Sequence, residues 1–351
     1  MTKYREPFFE DLDENIKIRN GSLEVICGPT PTNFDSSTAL NFKCQTLHVK
    51  EKLKFRCFEN ISNIKVESKD DVVIHFADFK YTSLYYFLIK KIAIKNSVYL
   101  HGQGGYKKKG ILSKFVYNLA VFCSTGYICY NEFCKTELDK KLLPFLRRKV
   151  FSIDNSLYLE PVTRSISDSD DIRENKLTFI GRVRPRSGLE ELLNAAQLAR
   201  DELADLSIEI IGAGDTEYMK TLQDKYRFAN FHGAIYTQKD IYSITKKCIA
   251  GAYGGDAGLS TVHYMSLGLP VLIHGSMFDH MGPEPSYVMD GFNGIHFKKG
   301  DVDDLARKIV AICNNKKYAL ELGNNALNTF KSLSKPTMAE KLLNIINRNA
   351  G

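Results

Sequence analysis

KLTFIGRVRPRSGLEELLNAAQLARDELADLSIEIIG, residues 176–212, decides the fold. An apolar run, LTFI, stops at Gly181, and a loop carrying Arg182, Arg184 and Arg186 follows. Apolar residues then recur at helical spacing from Leu189 to Leu203, and a second apolar run, SIEII, stops at Gly212. Strand, helix and strand at this spacing predict two parallel strands joined by a right-handed crossover. The same rhythm continues outward. Downstream it predicts a helix over 215–226, the strand NFHG, a helix near 238–247, CIAGAY, a helix from Gly258, PVLIH, GIHF and a helix over 301–313. Upstream, LEVIC (23–27), DVVIHF (71–76), SVYLH (97–101) and GYICYN (126–131) read as buried strands, with helices over 82–94 and 111–123. The fold class is therefore α/β, two Rossmann-like, doubly wound domains with helices on both faces of parallel sheets.

The segment EPVTRSISDSDDIRENK (160–176) is polar and poor in apolar residues, as linkers are. It sets the expected domains at 1–165 and 166–335. Two further helical stretches lie within 315–348, and residues 336–351 are expected to pack back onto the first domain.

A chain of 351 residues is too long for one core and suits two. Its 44% apolar and 25% charged residues are globular in balance. No run approaches the ~20 apolar residues of a membrane span. The opening MTKYREPFFEDLDEN carries carboxylates where a secretory signal is apolar, and the eight cysteines form no CxxC pair. Both features predict reduced thiols in a cytoplasm, with no zinc site.

The net charge of +7 is uneven: 26 basic against 20 acidic side chains up to residue 170, and 22 against 21 beyond it. Between Asp78 and Glu132 there is no carboxylate, while eight lysines (80, 90, 91, 95, 107, 108, 109, 114) stand among Tyr81, Tyr85, Tyr86, Phe87, Tyr106, Phe115 and Tyr117. Such a region is either an anionic membrane contact or a solubilising face over core aromatics. No nucleic-acid-binding motif accompanies it.

In open α/β sheets ligands bind beyond the carboxyl ends of strands. Four such places stand out. Arg182 follows Gly181, and arginine forks beside a helix start suit phosphate oxygens, the alternative being a solvated basic loop. Gly212 and Gly214 permit a tight turn and close ligand approach, without the third glycine of a dinucleotide fingerprint. Gly254, Gly255 and Gly258 precede a helix beginning near Leu259 and Ser260, whose free amides suit a pyrophosphate. His263 lies one turn in, facing the ligand or serving structure. In the first domain, His101 ends a strand and is followed by Gly102, Gly104 and Gly105, facing the cleft or simply making a turn.

FIGRVRPRSGLEELLNAA, SIEIIGAG, NFHGAI and GLSTVHYMSLGLPVLIHG…GPEPSYVMDGFNGIHFKKGDVDDLARKI occur in the order and spacing of glycosyltransferase family 4, which residues 176–330 resemble. REPFF, HGQGGY and SIDNS make a looser match to that family's acceptor domain. The resemblance implies a GT-B protein, two domains facing a cleft, that retains anomeric configuration and draws on a nucleotide sugar, UDP-linked in preference to GDP-linked, without a cofactor or metal. Gly181, Arg182, Arg186, Gly212, Gly214, Asp256, Gly258, Leu259, Ser260, His263 and Glu284 are the residues expected to hold the donor, and the resemblance implies that Arg182 grips its diphosphate. His101, Gly102 and Gly104 fall on the acceptor side, His101 near the transferred sugar.

The sequence also departs from the family. The usual lysine is replaced by Ser187, with Arg186 beside it. The first of two usual glutamates falls on Gly255, beside Asp256, and the second on His263. His at that position, the strand end at His274 and the acidic Glu284 resemble a polysaccharide-assembly subset. Members also have a strand and glycine loop ahead of the REPFF-like segment, so either this sheet lacks that strand or the chain shown starts downstream of it. His101, Arg182 and His263 are the residues expected to act in transfer. The departing oxygen gains negative charge, which fixed arginines and helix-start amides stabilise, and domain closure would exclude water. The expected acceptor is a growing, lipid-linked surface glycan such as an O-antigen, capsule or lipopolysaccharide, at the inner face of a membrane contacted through residues 80–114. Two alternatives stay open: a degenerate GT-B protein that scaffolds a polysaccharide complex, and a nucleotide-sugar epimerase.

Overall fold

The computed structural model describes residues 3–29, 40–162 and 173–348. The expected boundary at 165/166, within the polar stretch, lies outside them. Contacts divide the chain into one unit made of residues 1–158 and 336–351 and a second of 159–335.

The first unit contains α1 (Glu6–Lys17), β1 (Glu24–Cys27), β2 (Lys43–Thr46), β3 (Val49–Lys52), β4 (Phe55–Phe58), β5 (Val72–Phe76), α2 (Thr82–Ile94), β6 (Ser97–Gly102), α3 (Ile111–Cys123), β7 (Gly126–Cys129), α4 (Glu132–Asp139) and β8 (Val150–Ser152). The second contains β9 (Lys176–Ile180), α5 (Leu189–Ala199), β10 (Ser207–Ile211), α6 (Thr216–Lys225), β11 (Ala229–Phe231), α7 (Gln238–Thr245), β12 (Ala250–Ala252), α8 (Ser260–Ser266), β13 (Val271–His274), β14 (Gly294–Phe297), α9 (Val302–Asn314) and α10 (Lys316–Ser334). The last helix, α11 (Met338–Arg348), belongs to the first unit.

The second unit is a six-stranded parallel sheet in the order β11-β10-β9-β12-β13-β14. Counted within the unit, that is the 3-2-1-4-5-6 order of the Rossmann fold, and the order reverses between β9 and β12. Leu177, Phe179, Ile208, Ile210, Leu272 and Ile273 are fully or almost fully buried, as strands covered on both faces require.

In the first unit β5-β6-β7-β8 form a parallel sheet, β1 and β2 a parallel pair and β3 and β4 an antiparallel hairpin. Strand alternation sorts β6 and β7 between two cores. Leu100, Tyr127 and Cys129 pack with Leu84 of α2, Tyr117 and Val121 of α3 and Leu138 of α4. Tyr99 and Ile128 pack with Leu12 of α1 and with Met338, Leu342 and Leu343 of α11. Helices thus cover both faces, one face by helices from the two ends of the unit's sequence.

Two expectations change here. DVVIHF was read as a buried strand, yet Val72, Ile74 and Phe76 are exposed. β5 is the edge of its sheet and pairs with β6 alone. LEVIC likewise is only half-buried, because β1 pairs with β2 alone. The hairpin β3–β4 and strand β2 were not anticipated, since KCQT and VKEK carry too few apolar residues for a strand signal.

Candidate active site

At the reversal point β9 and β12 pair only over Leu177↔Ala250 and Thr178↔Gly251, then separate. The fully buried Tyr264 fills the gap: its hydroxyl accepts from the Ile180 amide at 2.9 Å and donates to the Ala252 carbonyl at 3.2 Å. Gly251 makes this possible, because a Cβ there would lie 2.3 Å from the Tyr264 ring. The strand that delivers Gly181 and Arg182 is thereby held to its neighbour beyond the last ladder bond. Arg182 itself is half-buried in the loop.

Gly212 and Gly214 have a different reason to be glycine than ligand approach. Gly212 sits at φ +155°, and a Cβ there would fall 1.8 Å from the Gly181 carbonyl oxygen. At Gly214 it would lie 2.1 Å from that of Val183. The loop after β10 lies against the loop after β9, tied by Gly181 N–H to Ile211 (3.0 Å) and Val183 N–H to Ala213 (2.9 Å).

The loops after β9 and β12 also touch. Gly255 and Asp256 donate their amides to the carbonyls of Ser187 and Arg186, both at 3.1 Å. Gly188, at φ +66°, leaves its Cβ position 1.9 Å from the Gly255 nitrogen, so no larger residue fits. Ala257 donates its amide to His280 Nδ1 at 3.1 Å. The expected pyrophosphate cradle over 254–258 is therefore narrower: amides 255–257 are engaged internally. A helix cannot use its own first-turn amides, which here follow Gly258 at Leu259 and Ser260.

Asp256 is the electrostatic centre of these loops. It takes Arg186 Nε at 2.7 Å, Lys299 Nζ at 3.1 Å and His274 Nε2 at 3.3 Å. Burial works to raise its pKa, and Arg186 and Lys299 outweigh burial and hold it low. His274, fully buried at the end of β13, stacks on His280 with ring centroids 3.8 Å apart. Since His280 Nδ1 accepts from Ala257, its Nε2 donates to the His274 carbonyl, 2.9 Å away. Burial lowers the pKa of both, His280 to about 3.

His263 is in the middle of α8, and its Nε2 is buried with no hydrogen-bond partner. Burial lowers its pKa to about 4, so it is neutral at physiological pH. A buried unpaired ring nitrogen costs free energy that a ligand can recover. Glu284 is buried too, and its carboxylate lies against the backbone at Gly282, 3.9 Å from the Cβ position of Gly258.

In the first unit His101 is the last residue but one of β6, with Nδ1 2.9 Å from the Ile128 carbonyl, so Nδ1 carries the proton and Nε2 the lone pair. Burial, aided by Arg5, lowers its pKa to about 4. Its ring lies 4.9 Å from Tyr130. Arg5, from REPFF, donates to Asn155 Oδ1 at 2.8 Å, and Asn155 donates its amide to Tyr130. The glycines beside His101 answer to packing: a Cβ on Gly102 would meet the Tyr127 hydroxyl at 3.0 Å, and one on Gly105, at φ +57°, the Tyr117 hydroxyl at 2.3 Å. The Gly104 amide donates to the Tyr127 hydroxyl at 3.1 Å.

The structure thus brings Arg186, Asp256 and His274 together, and sets Gly258 beside Glu284. Sequence reasoning missed Tyr264, Gly251, Gly188, His280 and Lys299. The glycines gave no signal because what forbids a side chain is distant in sequence, the Tyr264 ring for Gly251 and the loop at Gly255 for Gly188, and Lys299 reads as one more exposed lysine. Among the described residues no three His, Cys, Asp or Glu side chains converge as metal ligands, and no helix is long and apolar enough to cross a membrane.

The second unit is a Rossmann sheet whose reversal point carries an arginine loop and a short helix start, and the proteins this chain is similar to share that architecture. Residues 165–329 match the family model described as glycosyl transferases group 1. The chain is 24% identical over 318 residues to the uncharacterized glycosyltransferase MJ1178 of Methanocaldococcus jannaschii, covering 86% of this chain and 84% of that one. It is 25% identical over 318 residues to a Campylobacter jejuni GalNAc-α-(1→4)-GalNAc-α-(1→3)-diNAcBac-PP-undecaprenol α-1,4-N-acetyl-D-galactosaminyltransferase, covering 87% and 82%. Among solved structures, Anabaena Alr3699/HepE in complex with UDP and glucose superposes with a TM-score of 0.62 at 12% identity, over 93% of this chain and 99% of that one. TarM superposes with a TM-score of 0.61 at 18% identity, and the match spans 82% of this chain but only 57% of TarM.

Proposed function

We propose that this protein is a retaining, metal-independent glycosyltransferase that moves a sugar from a nucleoside-diphosphate donor, UDP-linked in preference to GDP-linked, to a growing lipid-linked surface glycan at the inner face of a membrane. The observation that carries the reading is the reversal point of the second unit, where the Arg182 loop and the first turn of α8 follow adjacent strands. Arg182 and the amides of Leu259 and Ser260 supply fixed positive potential where negative charge grows on the departing diphosphate, stabilising the transition state over the ground state. His263 offers the donor its unpaired Nε2. Neutral His101 is too weak a base at a pKa of about 4 to take the acceptor proton, so its Nε2 accepts a hydrogen bond from a sugar hydroxyl and positions the sugar. The departing phosphate oxygen takes the acceptor proton. The UDP and glucose held by HepE and the undecaprenol-linked acceptor in the Campylobacter relative's name support donor and acceptor classes.

The departures at Ser187 and Gly255 favour one second reading, a catalytically degenerate scaffold. A thermal-shift panel of nucleotide sugars separates the two. Binding by the native chain, weakened tenfold to a hundredfold on the order of a lost charged hydrogen bond in Arg182→Ala, together with slow donor hydrolysis, supports transfer. Donor binding without any turnover leaves the scaffold, and no binding overturns both donor assignments.

A further inference from the structure

The lysine-rich region of the first unit carries more than charge. On α3, Ile111, Leu112, Phe115, Leu119 and Phe122 are 87, 76, 64, 51 and 63% exposed. At spacings of four, four and three residues from Ile111, four of them form one stripe along a 13-residue helix, about 20 Å long. The opposite face is the buried one, with Tyr117, Ala120 and Val121 in the core. The exposed stripe is therefore not core misplaced at the surface. α2 adds a parallel strip, with Tyr85, Ile89 and Ile92 exposed at the same helical spacing. The two helices are tied at their ends, Lys91 Nζ donating to the Cys123 carbonyl at 3.2 Å, and Lys149 bonds the Phe122 carbonyl at 3.1 Å. Leu143 and Phe145 extend the apolar area: the Leu143 amide donates to Asn118 of α3 at 2.8 Å.

Cations border the stripe. Lys107, Lys108, Lys109 and Lys114 are exposed just before and within the first turn of α3, and no carboxylate falls anywhere between Asp78 and Glu132. A helix with protruding aliphatic and aromatic side chains, a cationic border and no carboxylate in its own stretch of sequence matches the chemistry of an anionic lipid surface. A protein partner with an ordinary polar rim would not call for so complete an exclusion of carboxylates.

We propose that α3 lies in the interface of an anionic bilayer, with Ile111, Phe115, Leu119 and Phe122 below the headgroups, Lys107–Lys109 and Lys114 on the lipid phosphates and α2 flanking it. This rests on the reading of the acceptor as lipid-linked and deepens it: the contact is apolar insertion steered by charge, not adsorption by charge alone.

The chain contains no tryptophan, so Phe115→Trp makes a single reporter. Its emission is expected to shift to the blue with vesicles of phosphatidylglycerol and phosphatidylcholine, and to be quenched by brominated acyl chains. With phosphatidylcholine alone the shift should be small. In sedimentation, Lys107→Gln/Lys108→Gln/Lys109→Gln should lose about a hundredfold in binding at low salt, about fivefold per lysine. Phe115→Glu/Leu119→Glu should lose tenfold or more at low salt, and should abolish the binding that the native chain retains at high salt. Thermal midpoints and nucleotide-sugar binding of all variants should stay native, because none of these side chains is in the core or the donor loops.

Binding wholly lost at high salt and indifferent to Phe115→Glu overturns insertion. No vesicle binding, or a concentration-dependent dimer that Phe115→Glu dissociates, overturns the membrane assignment. Either failure leaves the donor assignment standing, since that is read by Arg182→Ala in solution.

Discussion

Removing one hydroxyl at the strand reversal should loosen the donor loop. In Tyr264→Phe the ring remains, fully buried against Gly251, but the Ile180 amide and the Ala252 carbonyl lose the group that bridges them at 2.9 and 3.2 Å. Neither can turn to water, because both lie at the ends of buried central strands. An unsatisfied buried group costs roughly 1–3 kcal/mol, so the pair should cost about 2–4 kcal/mol after partial relaxation. For a unit of this size each kcal/mol lowers the midpoint by about 2–4 °C, which gives a fall of roughly 5–15 °C. The loss should fall on the second unit and also reach function. Ile180 precedes Gly181 and Arg182, so nucleotide-sugar affinity should drop about tenfold without any change in a residue that touches the ligand. Calorimetry on the variant, followed by titration with UDP-glucose as probe, reads both effects. A midpoint within 1 °C of native would show that the hydroxyl bridges nothing of consequence and refute the reasoning.

Acidification should destabilise both units. Burial holds His75, His101 and His263 at about 4 and His280 at about 3, below the ordinary value of 6.5, so the unfolded chain binds more protons across that window and stability falls with pH there. Between pH 7 and 5.5 each contributes a loss of about 1 kcal/mol, two histidines per unit. Midpoints that do not move between pH 7 and 5.5 would contradict this. Asp256→Asn should weaken nucleotide-sugar binding severalfold by releasing Arg186 and Lys299, and Arg186→Ala added to it should cost little more. Equal and additive effects in a double-mutant cycle would show that the two side chains act separately. Transfer should persist after exhaustive chelation, since protein groups supply the positive potential, and recovery of activity only on adding back a divalent ion would refute that.

How legible the molecule was depends on which force sets each feature. The second sheet could be read in outline because its strands are apolar runs and its helices periodic, and both patterns record burial directly. β5 misled for the same reason: VVIHF carries the apolar content of a central strand but sits at an edge, and sequence does not say which neighbour is missing. His101 and Arg182 were singled out because position at the end of a strand is itself a signal. Tyr264 was not, since a tyrosine in an apolar helix reads as core, and only the divergence of β9 from β12 shows that its hydroxyl has two partners. The basic stretch was legible as charge, whereas the exposed row on α3 was not. ILSKFVYNLAVF is apolar nearly all round, and the helix's orientation in its core decides which half remains outside.

The two departures from the family pattern, Ser187 and Gly255, share one cause in packing. Ser187 is fully buried and closes its own turn, its hydroxyl donating to the Arg184 carbonyl at 2.6 Å, so a long cationic side chain there would have no room. A Cβ at Gly255 would lie 2.5 Å from the Arg186 carbonyl oxygen and 2.7 Å from the Gly188 nitrogen, so no glutamate fits either. Small residues at both positions let the loops after β9 and β12 close on each other through the bonds from Gly255 to Ser187 and from Asp256 to Arg186. With the loops closed, the available cation and carboxylate are each one residue away from the family positions, on Arg186 and Asp256, and they pair at 2.7 Å. Opposite charges thus stand in contact beside the two positions that packing keeps small. A scaffold with no ligand to hold at these loops gives no reason for such a pair.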